Sequence, residues 1–353
     1  MFDLVGKAKH KAWSTLKSME KEEAMKEYTK IVSSLFGGKI PTDSPAASVT
    51  NSTTQAPGSV AGQPLTLASV VFPRQTTQNT SAQLATVNVD VNATGIATVQ
   101  LNRPQQLNAL SFQMWQDLKE AFAIVESNNA ARVAIITGTP RAFSAGMDLK
   151  VFADMQKTFS GETCEGRQRE AIIRAIKWLQ DAISSPEECP IPVLAAISGH
   201  CIGAGVDLIC ACDLRYCTND ATFCIKETDL AMVADVGTLQ RLPKLIGDQR
   251  SRELTYTARV FTGLEAEQMG LVAKSFATYD EMMSHVTSVA QTIASKSPLT
   301  IRGVKKTILF TRDHSVEESL KQVQYHNAAH LYSSDLMEAM RATMAKDTPK
   351  YKD

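Results

Sequence analysis

The chain has 353 residues, enough for one large domain or two smaller ones with a core that needs no disulfide bonds. Its 37 basic residues equal its 37 acidic residues, so no net charge attracts a nucleic acid backbone or an anionic membrane surface. No apolar run reaches the roughly 18–20 residues of a membrane-spanning helix. We therefore expect neither nucleic acid nor a membrane as a partner.

The first 36 residues are charged and have helical periodicity. One apolar stripe runs from Ala12 to Met19 and a second from Ala24 to Val32, which predicts two short amphipathic helices that end at Gly37. Residues 37–85 are rich in Ser, Thr, Gln, Pro, Gly and Ala and carry almost no charge. Because such a segment has too little apolar surface to offset the entropy of ordering it, we predict a disordered linker.

From residue 86 the chain has the strand and helix pattern of a compact α/β domain, which we place at residues 86–296. The alternation in Thr86–Val91 and the pattern of Ile96–Leu101 predict two strands. A helix is predicted from about Ser111 to Ser127, with Ser111 as its N-cap. Trp115, Leu118 and Phe122 form the stripe that this helix would bury.

The continuous apolar runs at 133–138 and 193–197 are typical of strands that are covered on both faces. A helix after Gly205 and short strands at 214–216 and 222–225 follow. Beyond Pro298 the pattern is helical to the end, so we assign residues 297–353 to a C-terminal helical region.

The seven cysteines include no CxxC pair and leave one odd, which indicates reduced core residues of an intracellular protein and no metal site.

Two segments rich in small residues follow the apolar runs, and each leads into a helix. They are AFSAGMDL at 142–149 and GHCIGAGVD at 199–207. Such turns leave backbone N–H groups unpaired at a helix N-terminus and let a ligand approach the main chain. Two donors aimed at one carbonyl oxygen would form an oxyanion hole, worth about 3 kcal/mol per donor. A tight turn without a ligand explains the glycines equally well, and their spacing fits neither a dinucleotide fingerprint nor a Walker A loop.

Three carboxylates lie in apolar surroundings: Asp207, Glu227 and Asp235. Asp207 falls in the first turn of an apolar helix, and the other two flank an apolar stretch. Acids in such settings have raised pKa values, and neighbouring acids separate each other's pKa values, so one site can supply both a base and an acid. The alternative for each residue is an ordinary surface or capping acid.

These motifs resemble those of the crotonase superfamily, the enoyl-CoA hydratases and isomerases, from Thr86 to the C-terminus. The resemblance rests on NRPQQLNAL at 102–110 and on the two turn motifs. Around Asp207, Glu227 and Asp235 the chain looks like the Δ3,5-Δ2,4-dienoyl-CoA isomerases. Hydratases usually carry Glu where Asp207 stands and Gly where Asp235 stands, so Asp235 is the discriminating residue.

The resemblance implies an α/β fold, a crotonase-like spiral of ββα units, with the C-terminal helices packed between subunits of a homotrimer or hexamer. It implies that the backbone N–H groups of Met147 and Ala204 form the oxyanion hole. It also implies that the acyl-CoA substrate contacts one loop and the following helix start. The substrate-binding residues are then Ala145, Gly146, Met147, Asp148, Leu149 and Ala204.

The implied reaction converts 3,5-dienoyl-CoA to 2,4-dienoyl-CoA in the oxidation of unsaturated fatty acids. One carboxylate removes a proton from C2, the oxyanion hole holds the dienolate, and another carboxylate protonates C6. We predict Glu227 as the base and Asp207 as the acid, with Asp235 tuning the pair, and the exchange of the first two roles stays open. No cofactor is expected, because an enolate needs only aligned donors and a matched base, and coenzyme A is part of the substrate.

Other functions stay open as alternatives: a Δ3-Δ2-enoyl-CoA isomerase, an enoyl-CoA hydratase, or a non-catalytic acyl-CoA-binding protein. Residues 1–36 resemble the last two helices of acyl-CoA-binding protein through Lys9, Trp13 and Tyr28. The first two helices of that bundle are absent, so we expect weak or no acyl-CoA binding by this part. The family resemblance implies the mitochondrial matrix or the peroxisome, without a legible targeting signal.

Overall fold

The computed structural model describes residues 80–352. The two helices predicted within residues 1–36 lie outside the described residues, as does the linker predicted for 37–85 except for its last part. That last part contains a strand, Thr80–Gln83, so the ordered sheet begins before residue 86. The strand pairs with the strand that follows it, so its backbone N–H and C=O groups find hydrogen-bond partners.

A seven-stranded sheet forms the centre of the described part. Its strands are β1 (Thr80–Gln83), β2 (Val87–Val91), β3 (Ile96–Leu101), β4 (Val133–Thr137), β6 (Val193–Ile197), β8 (Leu214–Thr218) and β11 (Lys274–Phe276). The spatial order is β1-β2-β3-β4-β6-β8-β11. The first two pairs are antiparallel and the other four are parallel.

A second, four-stranded sheet consists of short strands: β5 (Ala142–Ser144), β7 (His200–Ile202), β9 (Thr222–Cys224) and β10 (Phe261–Thr262). Their order is β10-β9-β7-β5, and only β10 is antiparallel to its neighbour. After each of β4, β6 and β8 the chain adds one strand to the small sheet before its next helix. This repetition is the predicted spiral of ββα units, which the structure confirms.

The helices connect these strands and cover both sheets. They are α1 (Phe112–Ser127), α2 (Leu149–Ser160), α3 (Glu165–Glu188), α4 (Ala204–Cys210), α5 (Thr238–Ile246), α6 (Asp248–Thr257), α7 (Gly263–Met269), α8 (Tyr279–Ala294), α9 (Pro298–Phe310), α10 (Val316–His330) and α11 (Ser334–Ala345). Short 3₁₀ turns occur at Pro104–Gln106 and Glu227–Leu230. Ser111 caps α1 as predicted, because its side chain accepts a hydrogen bond from Met114 N.

Two apolar clusters lie on opposite faces of the large sheet. Alternate residues of each strand point to opposite faces, so Ile135 and Leu194 pack with α8 while Ile136 and Ala195 join the cluster that contains Trp115. Every residue of β4 and β6 is buried, which confirms that both strands are covered on two faces. The site described below therefore rests on a rigid, close-packed support.

The C-terminal region contains α9, α10 and α11, so the helical prediction is confirmed as far as Ala345. Lys305 of α9 is buried and forms an ion pair with Asp213 at 2.8 Å, and its ammonium group also donates to the carbonyl oxygens of Pro186 and Ile191. These contacts fix α9 to the core. Among the helices of residues 80–352, none combines the length and apolar character that crossing a membrane requires.

Candidate active site

The candidate site lies where three parallel strands of the small sheet end. Strands β5, β7 and β9 pair in register, with Ala142 beside His200 and His200 beside Thr222. Because the carboxyl ends of parallel strands meet at one edge, the segments that follow them come together there. These segments carry Met147, Ala204 and Glu227.

The two glycine-rich segments follow the apolar strands as predicted, but the sequence does not predict the short strand with which each segment begins. Strands β5 and β7 stand between each run and its turn. Three-residue strands are too short to show alternation, so the sequence gives no signal for them. Their pairing is nevertheless what aligns the two turns.

The loop after β5 leaves one amide without a partner. The N–H groups of Ala145, Gly146 and Asp148 donate to Leu107 O (2.9 Å), Ser144 Oγ (3.1 Å) and Leu110 O (3.1 Å). The Met147 N–H donates to no acceptor within residues 80–352. It is thus an available donor at the edge of the small sheet.

The helix start after β7 offers a second amide of this kind. Gly203 has φ +51°, and its carbonyl accepts from the N–H groups of Val206 (2.7 Å) and Asp207 (3.2 Å) at the start of α4. Ala204 N, the first amide of α4, has no hydrogen-bond acceptor in the described part of the chain.

Gly146 shows how closely the two donors approach each other. Its φ is +90°, and a Cβ added there would lie 2.8 Å from Ile202 O and 3.8 Å from Ala204 N. The loop that carries Met147 therefore touches the turn that carries Ala204, and only glycine fits at the contact. The two available amides, which the sequence analysis named together, are neighbours in space.

Side chains outside the two turns hold the Met147 loop in place. Arg103 forms an ion pair with Asp148 at 3.1 Å and also donates to Ala109 O. Asp148 in turn caps α2 by accepting from Lys150 N, and this backbone hydrogen bond, with the Arg103 contact, lowers the pKa of Asp148. Asn108, fully buried, accepts from Arg103 N and donates to Ala142 O. The supporting contacts of Arg103 and Asn108 were not predicted, because such contacts leave no periodic signal in the sequence.

Asp207 is fully buried in α4. Its Oδ1 accepts a hydrogen bond from Thr238 N at 2.6 Å, whereas its Oδ2 has no partner within residues 80–352. Burial raises the pKa of Asp207 to about 6, against the lowering effect of the Thr238 hydrogen bonds. The sequence analysis did not identify Thr238, which lies 31 positions away and at the start of a different helix.

Glu227 opens the 3₁₀ turn after β9 and points toward the Ala204 turn. A Cβ added to Gly203 would lie 3.2 Å from Glu227 Oε1, so this carboxyl group is next to the residue that precedes Ala204. Burial, and then the neighbouring charge of Asp207, raise the pKa of Glu227 to about 7. Its Oε2 is buried and, like Oδ2 of Asp207, accepts no hydrogen bond from the described residues.

Asp235 differs from the other two carboxylates because its side chain is exposed in the single chain. It lies on a cavity of about 740 Å³, together with Gly237 and Arg241. Partial desolvation raises the pKa of Asp235, and the charge of Asp235 raises the pKa values of Asp207 and Glu227. The three acids therefore influence one another's charge, but Asp207 is fully buried, Glu227 is partly buried and Asp235 is exposed.

The site contains backbone hydrogen-bond donors and carboxyl groups. Within residues 80–352, no group of three or more His, Cys, Asp or Glu side chains is arranged to hold a metal ion. Another cavity, of about 430 Å³, lies between α9, α10 and α11 and has none of the three carboxylates in its wall. His326 and His330, whose rings stack at 4.4 Å, are structural parts of that helical region.

Comparison with known proteins agrees with this architecture. Residues 92–353 match the family model described as enoyl-CoA hydratase/isomerase, and residues 1–32 match the model described as acyl CoA binding protein. The chain belongs to the enoyl-CoA hydratase/isomerase family, as the motifs around its turns predicted.

Curated relatives carry a more specific name. The peroxisomal Delta(3,5)-Delta(2,4)-dienoyl-CoA isomerase of Arabidopsis thaliana is 45% identical over 251 residues, which cover 71% of this chain and 90% of that protein. The mitochondrial enzyme of the same name from Mus musculus is 41% identical over 253 residues, 71% of this chain and 77% of that protein.

Solved structures share the fold. The crystal structure of an enoyl-CoA hydratase from Bacillus anthracis superimposes with a TM-score of 0.67 at 30% identity, covering 78% of this chain and 98% of that one. A putative enoyl-CoA hydratase from Streptomyces coelicolor gives a TM-score of 0.70 at 24% identity, covering 79% and 98%, a likeness of fold alone. The predicted crotonase-like fold is thereby confirmed.

Proposed function

We propose that this chain is an enzyme that isomerises 3,5-dienoyl-CoA to 2,4-dienoyl-CoA. One observation carries the proposal: a buried and a partly buried carboxyl group with pKa values near neutrality lie beside two available backbone amides. The name shared by the plant and mouse relatives supports the same substrate and reaction. Groups of this kind are what a proton shift next to a thioester needs.

The thioester oxygen binds between the N–H groups of Met147 and Ala204 in this proposal. Negative charge develops on that oxygen when a proton leaves C2, and two preorganised donors stabilise it by about 3 kcal/mol each. Coenzyme A then lies along the loop and helix start at Ala145–Leu149. Asp148, one of the predicted substrate-binding residues, also keeps that loop in shape through its ion pair with Arg103.

Glu227 is the residue that removes the C2 proton. C2 is bonded to the thioester carbon, so the base must lie next to the oxyanion hole, and Glu227 is beside Gly203 at one edge of it. Asp207, whose carboxyl group is held by the Thr238 amide, delivers a proton to C6. Loss of the C2 proton and gain of the C6 proton move both double bonds by one position and leave a 2,4-diene.

The pair must hold one proton for this reaction. With pKa values of about 6 for Asp207 and about 7 for Glu227, that proton rests mainly on Glu227, so the reactive form, with Glu227 ionised and Asp207 protonated, is the minor of two coupled forms. Below about pH 6 both carboxyls are protonated and no base is present, whereas above about pH 7 both are ionised and no acid is present. We therefore expect a bell-shaped pH dependence of kcat/KM whose two apparent pKa values belong to the pair. The charge of Asp235 raises both pKa values and therefore moves the bell-shaped pH dependence to higher pH.

An ultraviolet assay tests the proposed reaction. The product diene is conjugated with the thioester and absorbs at longer wavelength than the 3,5-diene, so isomerisation appears as a rise in absorbance. The same enzyme sample is given 2-enoyl-CoA, which a hydratase would consume with loss of absorbance, and 3-enoyl-CoA, which a Δ3-Δ2 isomerase would convert. Faster turnover of either mono-unsaturated substrate than of 3,5-dienoyl-CoA would overturn the proposal.

The C-terminal helices have the surface expected of a subunit contact. Val316, Tyr332 and Met344 are 78%, 91% and 85% exposed in the single chain, although such side chains are normally buried. We propose that residues 297–353 pack between subunits of a homotrimer or hexamer and that residues 86–296 form the catalytic core. Light scattering that finds a monomer at micromolar concentration would contradict this assembly.

The proposal extends to the location of the protein and to its N-terminal residues. The relatives are named as peroxisomal or mitochondrial proteins, so we propose one of these two organelles, where unsaturated fatty acids are oxidised. Residues 1–32 match the acyl CoA binding protein family, which supports the same class of ligand. Titration of the full chain and of a chain lacking residues 1–36 with long-chain acyl-CoA tests whether this part contributes to affinity.

A further inference from the structure

Arg241 connects α5 to α3 through a mostly buried ion pair. Its Nη2 lies 2.6 Å from Glu187 Oε2 and 3.1 Å from Ser184 Oγ, and its Nε lies 3.1 Å from the same Glu187 oxygen. Only 14% of the Arg241 side chain and 19% of the Glu187 side chain are exposed. Solvent therefore screens this contact far less than a surface ion pair.

The same guanidinium group lies against the start of α5. A Cβ added to Gly237, which has φ +142°, would be 2.0 Å from Arg241 Nη1, so the arginine occupies the space that a side chain would need. Arg241 N also donates to Gly237 O at 3.2 Å. The next residue, Thr238, donates its N–H to Asp207 at 2.6 Å. A continuous series of contacts thus runs from α3 through Arg241 and Gly237 to Asp207.

We propose that Arg241 is a positioning residue: it clamps the start of α5 to α3 and thereby fixes the Thr238 amide that holds the Asp207 carboxyl group. This inference rests on the proposed role of Asp207 in proton transfer. The fixed amide keeps Oδ1 occupied and directs the unpartnered Oδ2 toward the substrate. Without the clamp, the short hydrogen bond to Thr238 would lengthen and the carboxyl group would sample other orientations.

The charge of Arg241 adds an electrostatic effect to this geometric one. Around Asp207, the carboxylates of Glu227 and Asp235 are the negative groups and Arg241 is the positive one. The nearby thiols of Cys201 and Cys210 are neutral, because burial raises their pKa values. Glu188 faces Arg241 itself. Loss of the Arg241 charge would favour the protonated forms of the pair and raise both apparent pKa values.

The test compares two substitutions of Arg241 with one of Arg312. Arg241→Met removes the charge and both α3 contacts, while Arg241→Lys keeps a charge but cannot reproduce the forked contacts. Arg312→Met is the matched control, since Arg312 pairs with the same Glu187 but does not touch Gly237. For each variant, kcat, KM and the pH dependence of kcat/KM are measured with 3,5-dienoyl-CoA.

We expect Arg241→Met to lower kcat about tenfold with KM within about twofold, and to move the bell about half a pH unit upward. Arg241→Lys should lower kcat about threefold while the bell stays in place, because the charge is kept. Arg312→Met should leave both unchanged. A general loss of packing would lower kcat without moving the bell. Equal effects of Arg241→Met and Arg312→Met, or an unmoved bell, would overturn the proposal.

Hydrogen exchange of the amides in residues 235–242 supplies a readout that does not need activity. Arg241→Met and Arg241→Lys should both speed exchange at Thr238 relative to Arg312→Met, because the donor to Asp207 is released. If Arg241→Met proves unstable, Arg241→Lys decides, and native kcat with native exchange would contradict the clamp. Failure of the proposed function would appear separately, as a wild-type enzyme that does not isomerise 3,5-dienoyl-CoA although exchange still responds to Arg241.

Discussion

The two halves of the candidate site are built in different ways. The donor half uses main-chain atoms: two amides whose positions follow from the pairing of β5 with β7 and from glycine at 146 and 203. The acid half uses side chains from three separate segments, and its chemistry follows from burial and mutual charge. A side chain added to the donor half should therefore break it by sterics, whereas the acid half should respond to changes of charge that leave shape intact.

Glu227→Gln should have the largest effect of any single change. The substitution keeps the shape of the side chain but removes the base, so kcat should fall about 10³-fold to 10⁴-fold, or about 4–5.5 kcal/mol in the barrier. Affinity for acyl-CoA should change little, because the donor half is intact. Rapid-quench or ultraviolet turnover measurements, with binding measured by calorimetry, separate the two quantities.

Asp229→Asn is the control for that experiment. Asp229 lies two positions further on, is exposed, and pairs with Lys226 at 2.5 Å. It should leave kcat within about twofold of the native value, as expected for a surface ion pair. Near-native turnover by Glu227→Gln would remove this residue from the reaction.

Gly146→Ala tests the donor half. Alanine at φ +90° is strained, and its Cβ would meet Ile202 O at 2.8 Å, so the Met147 loop and the Ala204 turn must separate. We expect kcat to fall about 10²-fold to 10³-fold, the cost of misplacing one oxyanion-hole donor. The bell-shaped pH dependence should keep its position because no charge changes.

Gly161→Ala provides the matched glycine. It follows α2 with φ −77°, and an added Cβ would come no closer than 3.6 Å to another atom. This variant should retain native kcat and native thermal stability. If Gly146→Ala behaves like Gly161→Ala, the two amides do not act as a pair.

Asp207→Asn should show what burial of the acid half costs in stability. The pKa of Asp207 is raised from 3.8 to about 6, so the folded state binds the proton more tightly than the unfolded state. Stability is therefore lost as pH rises from about 4 to about 6, and the full cost of about 3 kcal/mol is present at pH 7. Asparagine does not ionise, so the variant should gain stability relative to the native enzyme between pH 4 and pH 7.

Denaturant unfolding at pH 4 and pH 7, at one protein concentration, measures that gain. Asp117→Asn is an instructive contrast, because Asp117 is also buried but accepts hydrogen bonds from Thr86 N and Thr86 Oγ1, both at 2.7 Å. The Thr86 donors share Oδ2 while Oδ1 accepts from Gln113 Nε2 at 2.7 Å, so the NH2 group of asparagine would face a donor on one side or the other and this variant should be destabilised at pH 7. A loss of stability in Asp207→Asn at pH 7 would contradict the buried, strained carboxylate inferred here.

The sequence predicts the two backbone donors and the strands beneath the site better than it predicts the contacts that the three acids make. Strand β6 agrees with its predicted bounds because a continuous apolar run marks a doubly covered strand, and β3 agrees although Thr98 and Gln100 interrupt its apolar residues. Met147 and Ala204 follow from a motif of adjacent residues. Thr238 and Arg241 were missed because their partners are 31 and 54 positions away, and nothing local indicates such a contact.

The exposure of Asp235 could not be predicted from the apolar residues around it in the sequence. The apolar residues that follow Glu227 suggest that Asp235 is enclosed like the other acids, yet its side chain is exposed in the single chain. Val233, two positions before it, is 73% exposed as well. An apolar stretch in an irregular segment has no period, so the sequence cannot tell which of its side chains face inward.

Asp235→Asn should have the smallest effect of this series and an informative sign. Its charge raises the pKa values of Asp207 and Glu227, so its removal should move the bell to lower pH by a few tenths of a unit, opposite to Arg241→Met. We expect kcat to fall about tenfold or less, because this half-solvated group does not transfer the proton itself. Asp313→Asn, on the same cavity but without influence on either pKa, should leave the bell in place. A shift to higher pH, or a loss as large as that of Glu227→Gln, would mean that Asp235 exchanges a proton with the substrate rather than tuning the pair.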